Sequence, residues 1–106
     1  MIKLSVMYPY SPEAHFDHDY YRERHLPMLK ELMGEHCLYY SIDKGVGSVA
    51  PGSTPPFIAM CHVYSESLES LMAGLAPHGA TLAADIPNFT NASPVRQVSE
   101  VVVERS

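Results

Sequence analysis

Ile2 to Tyr8, IKLSVMY, alternates apolar and more polar side chains at a period of two and runs into Pro9, the pattern of a strand closed by a turn. Tyr10 to His15 contains Ser11-Pro12 and reads as a connection. From Asp17, a suitable N-cap, the period changes. Tyr21, His25, Met28, Leu29 and Leu32 fall at helical spacing, which predicts a helix to about Gly34 with those residues facing inward. Pro27 would lie beyond the first turn of that helix, where its missing N–H frees the carbonyl of Glu23, so a kink is expected near His25.

The second strand is CLYYSIDKG, Cys37 to Gly45, and Gly45 to Pro56 is expected to be a mobile loop rich in Gly, Ser and Pro. PFIAMCHVY follows as a third strand. It is apolar on both faces, with Phe57, Ala59, Cys61 and Val63 on one and Ile58, Met60 and Tyr64 beside His62 on the other, as befits a central strand covered on both sides. Leu68, Leu71, Met72 and Leu75 predict a second helix, opened by Ser65 or Glu66 and broken at Pro77, with a short helical continuation to about Ala84. DIPNFTNASP reads as loop and VRQVSEVVVE as the last strand.

The order strand, helix, strand, strand, helix, strand is that of an α+β ferredoxin-like βαββαβ unit, a four-stranded antiparallel sheet with helices on one face. Residues 1–106 make one such domain. Its second sheet face would stay bare, although the third strand and the valines of the last strand supply apolar residues to both faces. The economical cover is the same face of a second copy, so a homodimer is expected.

Composition narrows the partners. Twelve acidic against seven basic residues give a formal net charge of -5, and the cations are scattered, which argues against nucleic acid. No apolar run is long enough to span a membrane, and the N-terminus lacks the features of a secretory signal, so a cytoplasmic protein is expected. Cys37 and Cys61 lie in no metal-type or redox spacing and read as reduced, partly buried thiols.

Candidate chemistry centres on the first helix. Asp17, Tyr21 and His25 recur every fourth residue, either as a proton-handling stripe or as a cap followed by two core residues. Seven tyrosines against three phenylalanines suit a pocket lining with hydroxyls that orient a ligand, and equally suit strands and interfaces. His15, His18 and Asp19 are close in sequence but lack ligand spacing, so no metal is expected. His62 needs a polar partner, in a pocket or at a dimer seam. The glycines form no nucleotide cradle and the serines no nucleophile elbow.

MIKLSVMYP, then FDHDYYRERHLP, SLESL after Tyr64, and ADIPNFT together resemble the EthD-like family of dimeric α+β-barrel proteins, with Tyr20 to Pro27 the most specific part. The resemblance implies a dimeric barrel with a small cavity between helices and sheet, and a protein grouped with oxidoreductases whose common reaction is not established. Among similar folds it implies cofactor-independent monooxygenases, isomerases and decarboxylating enzymes. It favours His25 as a catalytic acid/base with Tyr21 beside it. Tyr8, Tyr20, His62, Tyr64, Asp85 and Phe89 are the candidate substrate contacts, with Asp85 closing the pocket mouth, orienting His25 or only making a cap or turn around Pro87, and Phe89 as lid or packing residue. The expected function is a cofactor-independent catabolic enzyme acting on a small hydrophobic or aromatic compound. The alternative is a non-catalytic ligand-binding or accessory protein.

Overall fold

The computed structural model describes residues 1–106. Four strands, β1 (Ile2–Pro9), β2 (Tyr39–Lys44), β3 (Phe57–Ser65) and β4 (Val95–Glu100), form one antiparallel sheet in the order β2-β3-β1-β4. Helical segments α1 (His18–Tyr20), α2 (Leu26–Met33), α3 (Leu68–Leu75) and α4 (Gly79–Asp85) cover one face of it. The molecule is 20 Å deep along its shortest axis, the depth of one sheet and one helical layer. The expected ferredoxin-like architecture is therefore present.

Alternation decides what each strand offers the helices. Leu4, Val6 and Tyr8 of β1 and Ala59, Cys61 and Val63 of β3 are buried beneath the helical layer. Met7, Met60 and Tyr64 point to the other face. Ile58 departs from the expected pattern: it sits where the β1–β3 register slips between Tyr8 and Pro9, and it packs against the core. β4 ends at Glu100 although VVVE continues the β-branched run. The β1–β4 ladder ends at the pair Ile2–Glu100, after which Val101 donates to the Met1 carbonyl.

The helix over the sheet is not simply kinked. Residues Tyr21–His25 form a π-helical turn, in which the Leu26 N–H reaches the Tyr21 carbonyl, five residues back. Pro27 then stands in the first turn of α2, directly after the π-turn. The extra residue rotates the buried stripe onto Tyr21, His25, Leu26, Leu29 and Met33, leaving Met28 and Leu32 only half-buried. Gly34, at φ 58°, closes α2 in the backbone region that other residues avoid. α3 starts later than its apolar spacing suggests: Ser67 is the N-cap, accepting from the Ser70 N–H at 3.1 Å. Ser65 is instead the last residue of β3, with its hydroxyl donating to the His36 carbonyl.

Candidate functional site

Segments distant in sequence are stitched together beside the π-turn. Phe16 and Thr90 form an isolated antiparallel bridge, and the Asp17 N–H donates to the Phe89 carbonyl at 2.7 Å. The Thr90 hydroxyl donates to the His15 carbonyl, while Asn91 accepts from the His15 N–H and donates to the Glu13 carbonyl. These bonds fix the segment after α4 against the entry to α1. Asp85, the last residue of α4, consequently reaches His25.

Nδ1 of His25 lies 2.8 Å from Oδ2 of Asp85. The other carboxylate oxygen accepts from the Tyr20 hydroxyl at 2.7 Å and the Asn88 amide at 3.0 Å. Burial works to raise the Asp85 pKa, but the hydrogen bonds from Tyr20, His25 and Asn88 outweigh it and hold the carboxyl below the usual aspartate range. An ionised carboxylate only accepts, so Nδ1 carries a proton, and in the neutral ring the lone pair is on Nε2. The ring is further fixed by Tyr21, stacked at 5.5 Å and 11°, and by Phe89 at 4.7 Å.

His25 lines a cavity of about 350 Å³ between helices and sheet, at the small end of ligand pockets. Two rows of directly opposed residues make its floor. One is Cys61–Val6–Arg96, across β3, β1 and β4; the other is Leu4–Val98. Leu29, Met72, Leu75, Leu82 and Ile86 form the roof, and 12 of the 15 lining residues are hydrophobic. Tyr8 and Tyr21 close the wall beside His25. Burial pushes the Tyr8 phenol up to about 12, the Cys61 thiol up to about 11, and the Tyr21 phenol well above its ordinary value. All three stay protonated at neutral pH. The Tyr21 hydroxyl is buried without a hydrogen-bond partner, although the Tyr8 hydroxyl and Cys61 thiol are near it.

Of the sequence candidates, His25, Tyr21 and Tyr8 meet on the cavity. Asp85 and Tyr20 stand behind His25 as its hydrogen-bonded support, so Asp85, rather than Tyr21, is the partner of the imidazole. Phe89 is a core residue at the back of the ring cluster and does not line this cavity, so of its two expected roles it has that of a packing residue and not of a lid or substrate contact. His62 and Tyr64 are also displaced from the site. Strand alternation puts both on the open sheet face, where Tyr64 stacks on Tyr39 at 4.4 Å and His62 bridges Ser5 Oγ at 2.7 Å and Asp43 Oδ2 at 3.2 Å. Asp17 serves as a helix cap, accepting from the Tyr20 N–H. No three His, Cys, Asp or Glu residues are grouped closely enough to hold a metal ion, and His18 packs on Phe16. Arg96 and the roof residues of α3 and α4 were not indicated by any motif; their only signal was position on the inward face of their elements.

Fold and cavity together define a ferredoxin-like α+β protein with one imidazole–carboxylate pair set in an apolar chamber. The model of the EthD domain family matches residues 11–93, and the chain belongs to that family. An EthD-like protein from Ralstonia eutropha JMP134 is 50% identical over 99% of this chain and 95% of its own, with a TM-score of 0.95. An ethyl tert-butyl ether D (EthD) family protein from Bacillus halodurans C-125 is 25% identical, covering 94% of this chain and 97% of its own at a TM-score of 0.71. A dimeric ferredoxin-like protein from an uncultured marine organism shares the fold at 13% identity and a TM-score of 0.53, covering 99% of this chain and 100% of its own. No curated protein matches the chain.

Proposed function

We propose that the cavity binds a small hydrophobic or aromatic compound and that His25 acts on it as a general acid/base without a cofactor, in a catabolic reaction of monooxygenase-like or isomerase/decarboxylase-like type. The observation that carries this reading is the 2.8 Å contact between His25 Nδ1 and Asp85 beside an otherwise apolar chamber, which leaves Nε2 of the neutral ring to act as the base. Nε2 takes a proton from the substrate, and the imidazolium so formed is held by the Asp85 carboxylate. The neutral hydroxyls of Tyr8 and Tyr21 then donate to the oxygen on which negative charge develops. The unpartnered Tyr21 hydroxyl supports this role.

The test is turnover by metal-stripped, flavin-free protein across polyphenols and lactones. His25→Ala is expected to lower the rate by about 10²–10⁴-fold, and Tyr21→Phe by less. Unchanged turnover in both variants removes the mechanism. The apolar remainder of the wall favours a second reading, a protein that holds a hydrophobic intermediate for a partner enzyme. A bound compound recovered intact after long incubation supports that reading instead.

The same proposal includes a homodimer formed through the open sheet face and a cytoplasmic setting. Met7, Met60 and Val95 lie together on that face, with the stacked Tyr39 and Tyr64 near its edge. Two free, buried thiols suit a reducing compartment. No helix is long and apolar enough to cross a membrane.

A further inference from the structure

Arg96 is an exposed residue of the edge strand β4, yet its side chain stands at the cavity. It lies opposite Val6 in the β1–β4 ladder, so it shares the inward face with Val6 and Cys61 and contributes to the cavity floor. The residues lining that cavity include no carboxylate, and Arg96 makes neither an ion pair nor a hydrogen bond with any side chain. Its charge is felt at the buried end of the chamber, where it favours the ionised forms of Tyr8 and Cys61 against the larger effect of burial. An unpaired guanidinium beside apolar walls is a recognition element for a planar anion, because its fork of donors matches both oxygens of a carboxylate. Edge-strand cations also discourage pairing with other strands, but that role does not require a place on the cavity floor.

We propose that Arg96 binds the carboxylate of the substrate, so that the cavity selects a small hydrophobic or aromatic carboxylic acid over its neutral counterparts. This deepens the functional reading above and rests on the same cavity being the ligand site. Arg96 comes from the edge of the sheet and His25 from the helical layer. A ligand anchored by its carboxylate therefore presents its apolar body, and the bonds next to it, to Nε2 of His25. Arg96 is a specificity-determining residue in this arrangement.

The experiment is isothermal titration of the full chain at neutral pH with 2-naphthoate and 2-naphthamide, and with phenylacetate and phenylacetamide. Each acid is expected to bind at least about tenfold more tightly than its amide, with the preference weakening as salt is added. Arg96→Gln is expected to bring the acid-to-amide ratio close to one, and Arg96→Lys to retain part of it, since lysine keeps the charge and loses the fork. Arg105→Gln, which alters an exposed arginine outside the cavity, is expected to keep the full ratio. A ratio near one in the native protein, or an undiminished ratio in Arg96→Gln, overturns the proposal. So does a failure of both acids and amides to bind, which removes the pocket reading with it. If the Arg96-dependent preference is found without turnover of any acid, acid recognition stands and the His25 mechanism falls. If His25-dependent turnover is found with no preference for acids, recognition by Arg96 falls alone.

Discussion

The proton on His25 Nδ1 is held in place by charge. Asp85, ionised and triply hydrogen-bonded, determines which nitrogen of the neutral ring keeps the proton. In Asp85→Asn the carboxamide no longer demands a proton donor, and the imidazolium loses its counter-charge, so turnover should fall by about a hundredfold or more. The same residue links stability to pH. Its folded pKa is depressed, so the unfolded chain binds more protons. The contribution is present above the ordinary value of 3.8 and is lost as the pH falls through the lower folded value. Urea unfolding followed between about pH 5 and pH 2 should show a shallower loss of stability in Asp85→Asn than in the native protein. Tyr8 and Tyr21 carry the opposite sign: their raised pKa values stabilise the fold below about 10, and that contribution is lost as the pH climbs toward 12. Phenolate absorbance should show these two ionising only as the chain unfolds. His25 was visible in the sequence through the HLP segment and its place on the helix. Asp85 is 60 residues away; the family resemblance offered it as one that could orient His25, but the Phe16–Thr90 stitching that brings it there is announced by no local pattern.

Elements show where local pattern suffices and where partners override it. Period-two alternation placed β1 and β3 well, and the proline correctly marked a disturbance at His25. A spacing rule built on 3.6 residues per turn does not register the one-residue insertion of a π-turn, so the inward stripe was displaced toward Met28 and Leu32. The end of β4 was overextended for a different reason, since strand propensity in VVVE has no effect without a neighbour to pair with. Helix contacts give a sharp test of packing. Gly74 of α3 is buried, and a Cβ there would lie 2.6 Å from His36 Cβ and 3.1 Å from Met33 Cε. Gly→Ala within a helix ordinarily stabilises by about 0.5–1 kcal/mol. Overpacking of about 1–3 kcal/mol should exceed that gain, so Gly74→Ala is expected to lower the midpoint of thermal unfolding. Ser67→Ala, which removes the cap of the same helix, should destabilise by about 1 kcal/mol.

For the whole molecule, the order of elements in the sequence was enough for the two-layer plan and the bare sheet face. A cavity was expected from the family resemblance, but most of its lining was not legible, because its floor comes from three strands and its roof from helices far along the chain. Sedimentation should find a dimer, and Met7→Lys, which puts a charge between Met60 and Val95, should raise its dissociation constant at least about thirtyfold. A native protein that sediments as a monomer would refute the sheet-face association. The central claim is that helices and sheet enclose an accessible chamber into which His25 directs an unprotonated Nε2. Long-range proton–nitrogen NMR of the imidazoles tests it most directly, comparing the free protein with protein saturated with 2-naphthoate. The account predicts that His25 carries its proton on Nδ1 at neutral pH in the free protein, and that its Nε2 resonance moves on saturation. A proton on Nε2 of the free protein, or an Nε2 signal that saturation leaves where it was, would contradict it.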